Sequence, residues 1–215
     1  MISCVDIVKD YKVHKGFRRV LDHVNFDLQR GQKLGIVGRN GAGKSTLIKI
    51  IGGVETATSG RIDRTMTVSW PLAFGGAFQG SLSGLDNLRF ICRIYGLPYE
   101  PTRKFVDDFA ELGSQMAEPV KTYSSGMRAR LAFALSIAIE FECYLIDEVI
   151  MVGDARFFNR CRDELFSRRS DRALIIVSHD MTFIQEVCDT GCVIHNSQLT
   201  MCDTVGEAVA IYQGL

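Results

Sequence analysis

A glycine-rich segment near residue 40 has the residue types and spacing needed to hold phosphate groups. Residues 38–45 fit the pattern G-x-x-x-x-G-K-[S/T], follow the apolar run 34–37 and lead into the apolar run 46–51. Glycines let successive backbone N–H groups turn toward phosphate oxygens, and the N-terminus of the following helix adds partial positive charge. Lys44 is expected to reach the β- and γ-phosphates, and the Ser45 hydroxyl to bind Mg²⁺.

A glycine turn that binds nothing is the alternative interpretation of this segment. The predicted strand before it and the predicted helix after it favour a nucleotide site instead. The candidate nucleotide-binding residues are Gly38, Arg39, Asn40, Gly41, Ala42, Gly43, Lys44, Ser45 and Thr46.

Two acidic residues, Asp147 and Glu148, end an apolar run in the middle of the chain. Asp147, at the tip of the predicted strand, is expected to hold Mg²⁺ through a water, and Glu148 to act as general base toward the water that attacks the γ-phosphate. Taken alone, a strand ending in two acids is more typical of a solvated loop, but the phosphate segment earlier in the chain reverses that interpretation. His179, just after the run 173–177, is a candidate γ-phosphate sensor.

A second anion-binding element is predicted where residues 123–127 open a helix. They read Tyr-Ser-Ser-Gly-Met, and apolar residues follow them at helical spacing up to residue 138. Serine and glycine at a helix start cap the first turn and leave backbone donors that can meet an anion. A simple N-cap without a ligand is the alternative for Ser124, Ser125 and Gly126.

The composition is that of a soluble globular protein with one large domain. The chain has 215 residues, of which 47% are hydrophobic and 23% charged, so it can bury a sizeable core. Twenty-five basic residues balance twenty-five acidic ones, which gives no general attraction to nucleic acid. We therefore expect no nucleic-acid partner. The arginines at 156–172 alternate with acids, which favours a solvated helix face over a basic patch.

Short β-branched runs alternate with helical patterns, which predicts an α/β fold with a largely parallel sheet. Strands are expected at 33–37, 143–146, 173–177 and 192–195, and an N-terminal antiparallel β subdomain from 2–8 and 20–28. Residues 82–113 look mainly helical. We expect a single domain over 1–215, with a helical lobe at about 82–140.

The N-terminus has no basic region followed by an apolar run, and the most apolar stretch, 131–139, is too short to span a bilayer. Seven cysteines without a Cys-x-x-Cys pair fit free thiols in a reducing cytosol better than a metal site at Cys188, Cys192 and His195. A cytosolic subunit is expected, held at a membrane only by a partner.

The order of these motifs resembles the ABC ATPase family along essentially the whole chain. The resemblance implies that the Ser124–Gly126 helix start is the family's signature motif, which binds ATP held by a second copy of the chain. It also implies that Tyr11 stacks on adenine and that Asp154 belongs to the D-loop. ATP and Mg²⁺ are the implied cofactors, and the implied fold is a P-loop NTPase core with a helical lobe.

Two segments depart from the family pattern. The usual signature reads Leu-Ser-Gly-Gly-Gln; Ser124 and Gly126 match it, whereas Tyr123, Ser125 and Met127 do not. The family's Q-loop glutamine is assigned to Gln79, the one glutamine in the right segment, although Ala73 fits the family's spacing better.

Within the family, the stretches 69–74, 79–90 and 146–154 are most similar to ATP-binding subunits of capsular polysaccharide exporters. This resemblance implies an ATPase that drives export of a capsular polysaccharide. The subunit would lie at the cytoplasmic face of a bacterial inner membrane, bound to an integral permease.

Three other functions are considered. A soluble ABC-type ATPase acting outside transport usually carries two cassettes or a long coiled coil, and this chain shows one cassette and a modest helical insert. A P-loop GTPase would need an Asn-Lys-x-Asp guanine reader, which is absent from the sequence. A small-molecule kinase would not need the Ser124–Gly126 helix start.

Overall fold

The fold was analysed in a computed structural model that describes residues 1–72, 78–147 and 155–215. The chain divides into two compact units. The described part of the first unit comprises residues 1–71, 142–147 and 170–215, and that of the second comprises 72, 78–141 and 155–169. The predicted candidate residues are therefore divided between the two units.

An antiparallel sheet of three strands opens the first unit. It has the order β2-β1-β4, where β1 is Ile2–Val13, β2 is Gly16–Leu28 and β4 is Ser59–Arg64. From Leu21 to Leu28, buried apolar residues mostly alternate with exposed polar ones, as expected for a sheet with one face on the core. The register of β1 shifts three times between Cys4 and Asp10, and Asp6 has a φ of 56° there.

The second sheet of this unit has six strands: β3 Lys33–Val37, β5 Val68–Pro71, β6 Cys143–Asp147, β7 Ala173–Val177, β8 Thr190–His195 and β9 Gln198–Cys202. Their order in the sheet is β5-β6-β7-β3-β8-β9. The first five are parallel and β9 pairs antiparallel with β8. The central strands are apolar and almost fully buried, as parallel strands covered on both faces must be.

Three helices complete the first unit: α1 Lys44–Ile51, α6 Met181–Val187 and α7 Val205–Gln213. Leu47, Ile48 and Ile51 of α1 belong to a buried cluster shared by both sheets. This packing fixes α1 at the end of β3, so the loop 38–43 connects a buried strand directly to a buried helix.

The second unit is helical. It contains α2 Gly84–Tyr95, α3 Tyr99–Ala110, α4 Ser125–Ala138 and α5 Ala155–Arg162, with 3₁₀ turns at Gly113–Ala117 and Val120–Thr122 and a π-helical turn at Asp163–Ser167. Its core includes Phe109, which lies 5.6 Å from the ring centroids of both Phe133 and Phe157. Such aromatic pairs add about 0.5–1.5 kcal/mol beyond their burial.

The predicted strands at 33–37, 143–146, 173–177 and 192–195 are all present, and the N-terminal subdomain is antiparallel as expected. The first two strands extend further toward their shared turn than the predicted 2–8 and 20–28. The expected helical lobe lies within the second unit, which also includes 155–169. A single domain over 1–215 stays a prediction. No helix within the described ranges is long and apolar enough to cross a membrane.

Candidate nucleotide-binding site

The glycine-rich loop leads from β3 into α1, and the first turn of this helix has no side-chain cap. The N-cap is Gly43, whose φ is 113° and which has no side chain to accept a hydrogen bond. By contrast, the side chains of Ser83, Ser124, Asp180 and Thr204 cap α2, α4, α6 and α7. The N-cap residue of α1 thus supplies no side-chain acceptor to the first turn, which suits the binding of an anion at this helix start.

Two glycines allow the loop to pack closely against its neighbours. A Cβ added at Gly38 would lie 2.5 Å from the carbonyl oxygen of Ile194, and one added at Gly43 would lie 2.8 Å from that of Val20. Both distances are shorter than a Cβ tolerates against backbone. Only glycine therefore permits this loop path, and it places the loop against β8 on one side and β2 on the other.

The Lys44 side chain folds back over the loop. Its Nζ donates hydrogen bonds to the carbonyl oxygens of Gly38 at 2.7 Å and Arg39 at 3.2 Å. The residue is only 5% exposed, so its positive charge is held in a mostly desolvated position within the cradle. A cation fixed there attracts phosphate oxygens more strongly than an exposed one would.

The predicted metal ligands lie side by side. The Ser45 hydroxyl, in the first turn of α1, donates a 3.0 Å hydrogen bond to Oδ1 of Asp147, the last residue of β6. Both oxygens are types that Mg²⁺ prefers, directly or through water. The pair therefore fits the donor set of a magnesium site next to the phosphate cradle.

A cavity of about 610 Å³ lies in front of the cradle and is bordered by the β1–β2 hairpin. Ligand sites of this kind commonly measure about 300–1,000 Å³. The hairpin contributes Tyr11, Val13, Arg18 and Val20, and the loop and α1 contribute Asn40, Gly41, Gly43, Lys44, Ser45 and Thr46. We call this space the nucleotide cavity.

Tyr11, the predicted adenine contact, borders this cavity and is 36% exposed. Partial burial, and then interaction of the phenol with the Glu55 carboxylate, raises the pKa of Tyr11, while interaction with Thr46 acts in the opposite direction. The Nζ of Lys9 lies 5.0 Å from the centre of the tyrosine ring. These contacts hold the ring at the cavity wall, where one face can meet a base.

Sequence reasoning missed Val13, Arg18 and Val20. The signal that reveals them is the pairing of Tyr11 with Arg18 across the hairpin, because residues directly opposite in an antiparallel pair share a face.

A smaller neighbouring cavity of about 240 Å³ is lined by Arg18, Arg39, Asn40, His195 and others. We call it the side cavity.

The remaining first-unit candidate, His179, lies two residues beyond the end of β7 and is exposed. Asp180 directly after it caps α6, accepting a 3.0 Å hydrogen bond from the N–H of Phe183. The carboxyl ends of the parallel strands β3, β6 and β7 lie at one edge of the sheet. His179 is thus at the same edge as Asp147 and the cradle.

The second unit contains the helix start predicted to bind an anion. Ser124 is the N-cap of α4, and its Oγ accepts a 3.2 Å hydrogen bond from the N–H of Met127. Its hydroxyl proton remains able to donate to another group. Ser125 and Gly126 lie in the first turn, where Ser125 is exposed and Gly126 is half-buried. Tyr123, which differs from the leucine of the usual signature, is buried, and its hydroxyl donates a 2.6 Å hydrogen bond to the carbonyl oxygen of Gln115.

Gln79 is also in the second unit, and its contacts are local. Its Nε2 donates to the Ser81 Oγ at 3.3 Å, and its N–H donates to the Asn87 side chain at 3.0 Å. Its Q-loop role stays a prediction. Glu148 and Asp154, predicted as general base and D-loop residue, lie outside the described residues, as does Ala73.

The fold and the cradle together define a P-loop protein of the nucleotide-binding cassette type, and comparisons with known proteins give the family. The model of the ABC transporter family matches residues 21–151. Two solved structures cover most of the chain at 20% identity. An ATP-binding subunit of an ABC transporter has a TM-score of 0.78 over 99% of each chain. A dimeric ATP-binding cassette bound to ADP and Pi has a TM-score of 0.77 over 93% of this chain and 96% of that one.

Curated relatives are more similar in sequence. The capsule polysaccharide export ATP-binding protein CtrD of Neisseria meningitidis serogroup B is 53% identical over the full length of both chains. The ATP-binding protein BexA of Haemophilus influenzae is 53% identical over 99% of this chain and 98% of its own. The polysialic acid transport ATP-binding protein KpsT of Escherichia coli is 42% identical over 93% and 90%. The chain belongs to the ABC transporter family, and the predicted fold class and family are confirmed.

Proposed function

We propose that this chain is the ATP-hydrolysing subunit of an ABC exporter that drives a capsular polysaccharide across the bacterial inner membrane. The observation that carries the proposal is the hydrogen bond of Ser45 to Asp147 beside an uncapped helix start and a buried Lys44. Similarity over the full chain to proteins named for capsule polysaccharide export supports the substrate class.

In this proposal ATP and Mg²⁺ are the cofactors. The residues 38–46 hold the phosphates, Tyr11 stacks on the base, and Ser45 and Asp147 hold the metal. When bound, Mg²⁺ supplies positive charge to the phosphate oxygens. Glu148 withdraws a proton from the attacking water, and His179 contacts the γ-phosphate.

The proposed partners are a second copy of this chain and an integral permease. The copy presents Ser124, Ser125 and Gly126 to the ATP of the first chain, and Asp154 and Gln79 take the family's D-loop and Q-loop roles. The subunit lies at the cytoplasmic face of the inner membrane, held there by the permease.

The ATPase step is tested with purified protein. Wild-type chain is expected to hydrolyse ATP only with Mg²⁺. Glu148→Gln is expected to bind ATP but to turn over about 10²–10⁴ times more slowly, the usual contribution of a positioned general base. Near-normal hydrolysis by Glu148→Gln would remove Glu148 from this role.

The transport step is tested in cells. A strain without this chain is expected to lose surface polysaccharide and to accumulate the polymer inside, and wild-type chain restores export while Lys44→Ala does not. The alternative, a soluble ABC-type ATPase acting outside transport, predicts normal surface polysaccharide in the strain without this chain and in the strain with Lys44→Ala. The relatives reported above are named for export or ATP binding and give that alternative no support.

A further inference from the structure

The tip of the β1–β2 hairpin has two faces with different surroundings. Tyr11 pairs with Arg18, and the neighbouring pairs are Lys12 with Phe17 and Asp10 with Arg19. Since side chains alternate along a strand, Tyr11 and Arg18 share one face, and the flanking pairs share the other. The first face borders the nucleotide cavity.

The two adjacent arginines differ in their partners. Arg19, which also lines the side cavity, donates to Asp10 at 3.0 Å and to Asp22 at 2.7 Å, so its charge is neutralised by two carboxylates. For Arg18, no side-chain hydrogen bond or ion pair is found with any residue that the structure describes. Within the described part of the chain, the charge of Arg18, which lines the nucleotide cavity, is therefore not neutralised by an acidic partner.

Arg18 is placed to act on phosphates rather than only on a base. It lines the nucleotide cavity and also the side cavity, and in both it accompanies Asn40 and Gly41 of the glycine-rich loop. A guanidinium offers a planar pair of donors that fits phosphate oxygens, which an ammonium does not. The chain has no net charge, so attraction of an anion to this site depends on local cations such as this one.

We propose that Arg18 is a nucleotide-binding residue that contacts the phosphate groups from the hairpin side of the cavity. This inference rests on the proposed binding of ATP to the cradle. It adds to that site a cation that is contributed by the antiparallel sheet rather than by the glycine-rich loop.

The test is calorimetric titration of the full chain with ATP, ADP and AMP. Arg18→Ala is expected to weaken ATP binding about three- to tenfold, as for loss of a partly exposed charge-assisted contact. The loss is expected to shrink from ATP to ADP to AMP, because fewer phosphate charges remain. It is also expected to shrink as salt increases, since an exposed charge is screened.

Lys12→Ala is the matched control, because it removes one positive charge from the same hairpin on the opposite face. It is expected to leave ATP affinity unchanged. Arg18→Lys is expected to recover part of the loss, since it restores the charge but not the paired donors.

Three results would overturn the inference: unchanged ATP affinity in Arg18→Ala, an equal loss in Lys12→Ala, or the same loss for all three nucleotides. The last result would indicate a contact to the base or ribose. Failure of the wild-type chain to bind ATP would instead contradict the proposed function, so the two failures are distinguishable within one set of titrations.

Discussion

The Ser45 hydroxyl donates a 3.0 Å hydrogen bond to Oδ1 of Asp147, although the two residues are 102 positions apart in the sequence. The bond joins the first turn of α1 to the end of β6, which is separated from β3 by β7. Strand ends at one edge of a parallel sheet are where ligands bind in such folds, and here the bond holds two oxygen ligands together. The proposed metal position is therefore preorganised by the protein itself.

We expect Ser45→Ala and Asp147→Asn each to reduce Mg²⁺-dependent ATP binding and hydrolysis while ATP binding without Mg²⁺ is retained. Removing the hydroxyl is expected to lower the free energy of unfolding by about 0.5–1.5 kcal/mol, the net value of one hydrogen bond. In the double variant, Mg²⁺-dependent ATP binding should be only slightly weaker than in the weaker single variant, because both side chains act through one contact. Titrations of each variant with ATP, with and without Mg²⁺, measure these affinities.

Asp63→Asn is the control, since its carboxylate is exposed and pairs with Arg61. It is expected to bind and hydrolyse ATP normally. Equal losses with and without Mg²⁺ in the Ser45 and Asp147 variants would show that these residues act on the nucleotide and not on the metal.

Tyr11→Ala is expected to weaken ATP binding by about 1–3 kcal/mol, the range for stacking of a base on an aromatic ring. Tyr11→Phe keeps the ring and is expected to bind nearly normally, with only the hydroxyl interactions with Glu55 and Thr46 removed. ATP and GTP should be distinguished poorly in all variants, because a ring face does not recognise base edges. Titration with each nucleotide measures these affinities.

Phe17→Ala is the control for Tyr11. Phe17 is 75% exposed and pairs with Lys12 on the face of the hairpin away from the cavity. We expect the Phe17→Ala variant to bind ATP with unchanged affinity. A larger loss in Phe17→Ala than in Tyr11→Ala would assign the base contact to Phe17 instead.

The parallel core and the cradle were predictable because their signals are local. Buried strands such as 173–177 are continuous apolar runs, and the loop 38–45 is a contiguous pattern. The outer part of the hairpin was not predictable in the same way. Residues from Lys9 to Lys12 are polar and lie beyond the core, so no alternating apolar pattern marks them as part of β1.

The cavity wall opposite the cradle was missed for a related reason. Three register shifts between Cys4 and Asp10 break the alternation of faces along β1, and Ile7 and Val8 are both buried in succession. Alternation from the buried residues of β1 therefore does not predict on which face of the sheet Tyr11 lies. Arg18 becomes a candidate only once the pairing of the two strands is known.

Glu111 joins three arginines in the second unit. It is the C-cap of α3, and its carboxylate lies 2.6 Å from Arg160, 3.4 Å from Arg156 and 3.5 Å from Arg130. Its φ of 53° is a left-handed conformation that favours glycine. The ion pairs link α4, which begins at the predicted signature, to α5, so they offset the local backbone cost at Glu111.

We expect Glu111→Gln to lower stability by about 1 kcal/mol, because the variant loses charge from a network rather than from one exposed pair. For a chain of this size that corresponds to a decrease in Tm of about 2–4 °C. The difference should narrow in high salt. Glu118→Gln, an exposed glutamate for which the described residues show no ion pair, is the control, and an equal decrease there would contradict the network.

Gly126 gives the most direct test of the two-copy arrangement. It lies in the first turn of α4 and is half-buried, and within the described part of the chain the Ser124 Oγ, at 3.9 Å, is the nearest neighbour of a Cβ added to it. An aspartate at this position therefore fits within the chain. A carboxylate in the first turn is also favourable for an isolated helix, since it complements the helix dipole. The unpaired Gly126→Asp chain should fold normally.

In a pair of copies the effect of Gly126→Asp is reversed. The γ-phosphate bound by Lys44 of one copy would face the introduced carboxylate of the other, and like charges repel. In a Glu148→Gln background, which slows hydrolysis, we expect dimers with ATP and Mg²⁺ but not with ADP. Adding Gly126→Asp should abolish these dimers, while ATP still binds the cradle of each single chain. Light scattering after size exclusion, at high protein concentration, measures the mass.

Gly126→Asn is the matched control, because it adds a side chain of nearly the same size without the charge. It is expected to retain part of the ATP-dependent dimer, so the difference between the aspartate and asparagine variants reports repulsion and not steric exclusion. If Gly126→Asp leaves both ATP-dependent dimerisation and hydrolysis intact, the helix start of α4 does not meet the γ-phosphate. The proposed pairing of two copies through Ser124–Gly126 would then be wrong for this protein.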